Sequence, residues 1–121
     1  MSNTERKQIL VVDDEQAILK MMTKALSREG YCIHTALNGE EAVEKITACR
    51  YDCVLTDFVM PGFSGSDVAT AVKTLYGDTV PVIGMSGTPW LLDSNLFDVT
   101  FQKPGSIIEL IHTIKKIVPL F

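Results

Sequence analysis

Five short aliphatic runs punctuate the chain, and between them apolar residues recur every three or four positions. The runs lie at 8–13, 31–36, 52–56, 80–85 and 98–102. Unbroken apolar runs of this length suit strands of a parallel sheet covered on both faces. The intervening stretches read as helices over 14–29, with Ile18, Met22, Ala25 and Leu26 on one face, and from Asn38 to near Cys49, with Ala42, Val43 and Ile46 inward. A third helix covers 66–76, with Val68, Ala69, Val72 and Leu75 inward, and the last starts at Ser106 and buries Ile107, Leu110, Ile111, Ile114, Ile117 and Val118. Asn38 with Glu41, and Ser106 with Glu109, have the spacing of capping boxes, while Gly30 and Gly77 stand where helices stop. Regular alternation with short connections predicts a doubly wound, parallel α/β sheet with helices on both faces.

One connection is tight. Only the eleven residues 87–97 separate the fourth strand from the fifth, where a crossover with its helix needs at least about 10–12. The helix there is predicted to be very short, opening at Thr88-Pro89 and ending by Asn95. It would carry Trp90, Leu91, Leu92, Leu96 and Phe97, more apolar surface than two turns can bury, so the segment is predicted to be a partner surface. The plainer alternative sends Leu92, Leu96 and Phe97 into the core.

Composition narrows the class. The 121 residues are expected to form one domain, 1–121, with a polar N-terminal arm at 1–7, and 46% apolar and 21% charged residues are the usage of a packed globular protein. A net charge of −4 without a basic cluster argues against nucleic acid as a partner. No apolar run approaches the roughly 18 residues of a membrane span, so the expected setting is cytoplasmic and away from membranes. Cys32, Cys49 and Cys53 form no C-x-x-C pair and read as buried, reduced thiols. His34 reads as core filler and His112 as a surface residue.

What remains is where the strands end. The first run stops on Asp13-Asp14, the third on Asp57 before Pro61-Gly62, the fourth on Ser86-Gly87 and the fifth on Lys103. In an open parallel sheet the carboxyl ends of the strands form the ligand crevice. Three carboxylates meeting there cannot all stay ionised uncompensated, and Mg2+, which takes carboxylate and carbonyl oxygens while keeping waters, resolves the conflict. Asp57 is then a ligand and a plausible nucleophile towards a phosphoryl group, with Ser86 and Lys103 placed to neutralise charge. Each residue alone has an ordinary explanation as strand end, cap or surface charge; four successive strand ends together favour a site.

Val11-Val12-Asp13-Asp14-Glu15, Leu55-Thr56-Asp57-Phe58-Val59-Met60-Pro61-Gly62, Met85-Ser86-Gly87 and Lys103-Pro104 make the whole chain resemble a response regulator receiver domain of bacterial two-component signalling. The resemblance implies a flavodoxin-like five-stranded sheet of order 2-1-3-4-5, and a switch that turns over no metabolite. It implies that Asp57 accepts phosphate from a histidine kinase or histidine phosphotransfer protein, and that Asp14, Asp57 and the Val59 carbonyl ligate Mg2+ directly while Asp13 acts mainly through water. It further implies Ser86 and Lys103 on the phosphoryl oxygens, a cis Lys103-Pro104 bond, and a persistent acyl phosphate, since neither Val59 nor Thr88 can activate water. The chain departs from the family at Thr100, where Tyr or Phe is usual, and at Gly105, where a large residue is common; Phe101 should point to the opposite face. An aspartyl-phosphate hydrolase would commonly carry an acid at Val59, and a flavin module a Ser/Thr/Gly-rich loop in place of Asp14-Glu15-Gln16. A phosphorylation-independent adaptor would not need the full acid set. The polar start and lack of a trailing linker suggest a stand-alone regulator.

Overall fold

The computed structural model describes residues 6–60, 62–87, 95–103 and 105–120. Its elements run β1 (Gln8–Val12), α1 (Gln16–Arg28), β2 (Cys32–Ala36), α2 (Gly39–Ala48), β3 (Cys53–Asp57), α3 (Gly65–Tyr76), β4 (Val82–Ser86), β5 (Val99–Gln102) and α4 (Ile107–Ile117). The strands form one parallel sheet in the order β2-β1-β3-β4-β5. This is the expected order. The expected short helix after β4 and the Lys103-Pro104 bond fall on residues 88–94 and 104, outside the described residues.

Alternation along the central strands splits the core in two. Leu10, Val12, Val54 and Val82 face α2 and α3, meeting Ala42, Ile46, Val68 and Val72. Ile9, Val11, Leu55, Ile83 and Met85 face α1 and α4, meeting Leu19, Met22, Leu26, Leu110 and Ile114. β3 and β4 are buried along their whole length, which is why their sequences are continuous rather than alternating. Burial on both faces fixes the register, so the residues at the strand ends are held on the sheet's carboxyl edge.

The helix ends follow their caps. The Asn38 side chain accepts from the Glu41 amide, although Glu41 returns its own bond to the Leu37 amide and not to the cap residue. Ser64 and Asp67 close a full capping box on α3, and Ser106 accepts from the Glu109 amide on α4.

Two expectations fail. Leu75 is 47% exposed, because the inward stripe of α3 passes to Tyr76, whose hydroxyl donates to the Ile46 carbonyl at 2.7 Å. His34 is exposed, not core: its ring meets Tyr51 edge-on and its Nδ1 lies 2.8 Å from the Tyr51 hydroxyl. Of the segment expected to be a partner surface, Leu96 and Phe97 pack against the α2/α3 core, as the plainer alternative has it. Trp90, Leu91 and Leu92 lie outside the described residues.

Candidate functional site

Asp57 is the last residue of β3, in register with Met85 of β4, and only 7% exposed. Just beyond it the backbone is pinned on two sides: the Phe58 amide donates to the Met85 carbonyl at 2.8 Å, and the Phe58 carbonyl accepts from Gly65 at 2.9 Å. Gly65 cannot carry a side chain, since a Cβ there would lie 2.5 Å from the Asp57 carbonyl oxygen and 2.8 Å from the Phe58 Cα. The start of α3 is thereby packed directly under the acid.

Asp13 follows β1, is fully buried, and donates its amide to the Ala36 carbonyl at 3.1 Å. Its Oδ1 accepts from the Glu15 amide at 3.0 Å and its Oδ2 from Lys103 Nζ at 3.0 Å. Lys103 follows β5, where its amide donates to the Ser86 carbonyl at 2.8 Å, tying the ends of β4 and β5 together. Its ammonium also lies 3.3 Å from Asp57 Oδ2, so one lysine bridges two carboxylates. Ser86 is buried at the end of β4, Asp14 is exposed at the rim, and Val59, two residues after Asp57, is 72% exposed. Among the described residues, a Cβ at Gly87 would meet only the Lys103 carbonyl oxygen, at 3.9 Å.

Carboxylate oxygens of Asp13, Asp14 and Asp57 lie within 4.8 Å of one another. Three carboxylates against the single ammonium of Lys103 leave two negative charges uncompensated at the cluster. Burial pushes the Asp57 carboxyl above the ordinary carboxylate range; Lys103 opposes this, and Asp13 and Asp14 add to it. Burial works against the Lys103 charge, but the hydrogen bond and attraction of Asp13, then those of Asp57, outweigh it and hold the ammonium above its usual value. Clustered hard oxygen donors and a deficit of two charges fit a divalent cation of the Mg2+ kind.

At the position where the resemblance would have Tyr or Phe, Thr100 is exposed on β5, and Phe101 points into the layer of α1 and α4, as expected. Sequence reasoning missed Gly65 and the Ser64 to Asp67 box, although Ser64-x-x-Asp67 directly after the Pro-Gly break carries the signal. It also missed Thr56, fully buried with its hydroxyl donating to the Asp57 carbonyl at 3.0 Å.

Residues 9–94 match the family described as "Response regulator receiver domain". Among curated proteins, the transcriptional regulatory protein ResD of Bacillus subtilis is 41% identical over 73 residues, 60% of this chain and 30% of ResD. SrrA of Staphylococcus aureus is matched over 27% of its length, so the chain spans less than a third of either relative. Among solved structures, the response regulator TrrA of Thermotoga maritima in complex with Mg(2+)-BeF superposes with a TM-score of 0.85 at 37% identity, covering 93% of this chain and 99% of TrrA. TrrA in complex with the histidine kinase ThkA superposes with a TM-score of 0.83, covering 93% of this chain and 98% of TrrA.

Proposed function

The chain belongs to the response regulator receiver domain family, and from that premise we propose that Asp57 is the acceptor of a phosphoryl group passed from a phosphohistidine on a sensor kinase or phosphotransfer protein. The observation that carries this reading is Lys103 Nζ held between buried Asp13, at 3.0 Å, and Asp57, at 3.3 Å, at the only acidic cluster of this kind among the described residues. A lysine so placed is already aimed at the oxygens of a group that bonds to Asp57.

In the proposed step an Asp57 carboxylate oxygen attacks phosphorus and the bond between phosphorus and the donor imidazole nitrogen breaks. The electron pair of that bond leaves with the imidazole, and an acyl phosphate forms. Asp13, Asp14, Asp57 and the Val59 carbonyl are the residues that would hold Mg2+, with Asp13 acting mainly through water. When bound, the ion supplies charge neutralisation for the incoming phosphoryl oxygens. Lys103 then exchanges its contact with Asp57 for the phosphoryl group while keeping Asp13. The Ser86 hydroxyl donates to another phosphoryl oxygen. Val59, apolar and two residues after Asp57, offers no base to activate water, so the product persists.

A receiver domain signals; it is not a metabolic enzyme, and no metabolite turnover is part of this reading. The kinase partner is supported by the ThkA complex of the similar regulator TrrA, and Mg2+ by the Mg(2+)-BeF complex of the same protein. We take the 121 residues as one receiver domain. Among the described residues no helix is long and apolar enough to cross a membrane. Intact-mass measurement after incubation with acetyl phosphate tests the reading. One phosphoryl adduct is expected in Mg2+, none in EDTA, and none on Asp57→Asn; a stable adduct on that variant overturns it.

A further inference from the structure

Asp57 and Phe58 point to opposite faces of the sheet. While the carboxylate enters the acidic crevice, the Phe58 ring packs into the α2/α3 layer. There it meets the ring of Phe97 edge-on, with centroids 6.2 Å apart and planes at 71°, within the range in which aromatic pairs attract. Phe97 is 3% exposed and sits at the end of the β4–β5 connection.

Both rings adjoin backbone that is held in place. Phe58 is fixed to β4 through Met85 and to α3 through Gly65. Past Phe97, Asp98 is bolted down: its amide donates to the Val82 carbonyl at 2.8 Å, its Oδ2 accepts from the Val82 amide at 2.7 Å, and Lys73 Nζ pairs with that oxygen at 3.2 Å. Before Phe97, Asn95 and Leu96 lie in a turn. Phe97 therefore stands directly before a fixed residue and in contact with the residue directly after the nucleophile. Thr100, further along β5, is exposed and has no ring with which to form a second such link.

We propose that the Phe58–Phe97 ring pair is the relay by which a change at Asp57 reaches the end of the β4–β5 connection. The inference rests on the reading of Asp57 as phosphoryl acceptor. A phosphoryl group adds charge and bulk at the carboxylate, and the backbone of the next residue adjusts with it. The Phe58 backbone moves only within its two hydrogen bonds, so the adjustment is expressed as a reorientation of its ring. In a close-packed layer Phe97 must follow. Asp98 is held, so the displacement is expressed at Leu96, the residue before Phe97. Phe58 and Phe97 are positioning residues in this scheme; neither touches the phosphoryl group.

The test is the amide spectrum of 15N-labelled protein with and without beryllofluoride and Mg2+, in wild type, Phe97→Leu and Phe58→Leu. In wild type the amides of Asp57 and Leu96 are expected to shift together, with Asp98 shifting less. In either variant the Asp57 shift and acetyl phosphate labelling remain, while the shift at Leu96 is lost. An undiminished shift at Leu96 in the variants overturns the relay. If Phe97→Leu does not fold, Phe58→Leu decides, since that ring is only partly buried. Failure of the underlying reading looks different: the wild-type Asp57 amide does not respond and acetyl phosphate does not label it, and then both fall.

Discussion

Replacing Asp57 by Asn should stabilise the metal-free protein. At an effective dielectric of about 20, like charges no more than 4.8 Å apart repel by at least about 3.5 kcal/mol, and the Lys103 ammonium at 3.3 Å returns about 5 kcal/mol. Repulsion from Asp13 takes most of that back, and the exposed carboxylate of Asp14, screened by water, contributes little more. The pair terms leave at most about 1.5 kcal/mol of attraction, and burial of the Asp57 charge, which raises its carboxyl, outweighs it. The net gain on Asp57→Asn is about 1 kcal/mol or less, so Tm is expected to rise by no more than about 4–8 °C at pH 7 with metal chelated. The pH dependence follows from the raised carboxyl. Folding favours the protonated form, so wild type loses stability relative to the variant as pH rises from about 3.9, the ordinary Asp value, through the raised one. The advantage of Asn should shrink towards acid. Mg2+ should reverse the ranking, since a ligand at a hundred times its Kd stabilises by about 2.7 kcal/mol, and Asp57→Asn lacks one of its oxygens. Differential scanning calorimetry across pH, with EDTA or Mg2+, measures all of this. An Asn variant no more stable than wild type in EDTA at pH 7, or an advantage that grows towards acid, refutes the reasoning.

Other consequences are simpler to read. Gly65→Ala places a Cβ against the Asp57 carbonyl and the Phe58 Cα; a cost of about 1–3 kcal/mol is expected in urea unfolding, and an unchanged midpoint would contradict the packing. Ser64→Ala removes the capping box of α3 and should cost about 1 kcal/mol by the same assay, without altering the mass of adduct formed from acetyl phosphate. Phosphorylated protein freed of donor should keep its adduct for minutes or longer, on the order of the lifetime that an apolar, base-free approach allows; loss within seconds would remove Val59 from its assigned role.

How far the chain could be read follows from which forces are local. Aliphatic runs such as Ile9 to Val12 and Val54 to Leu55 announce buried parallel strands, because burial on both faces leaves no polar alternation. Asn38 and Ser106 mark helix starts through bonds made within four residues. Leu75, placed inward by periodicity, is displaced because a hydrogen bond to α2 draws the tyrosine at 76 into that stripe. His34 likewise depends on Tyr51, seventeen residues away. At the site, strand ends put Asp13, Asp57, Ser86 and Lys103 on one edge of the sheet. That a single ammonium spans Asp13 and Asp57 is a matter of where a long side chain's head comes to rest, which no pattern of hydrophobicity encodes. The ring pair of Phe58 and Phe97 is hidden for the same reason: residues 39 apart meet only after the sheet is assembled.

The central claim is that Asp57 itself forms an acyl phosphate, and reductive trapping addresses it most directly. Borohydride converts an aspartyl phosphate to homoserine, which marks the acceptor permanently for peptide sequencing by mass spectrometry. After incubation with acetyl phosphate and Mg2+, homoserine is predicted at position 57 alone, with none in EDTA. Homoserine at position 13 or 14, or at 57 to the same extent without metal, would contradict the account.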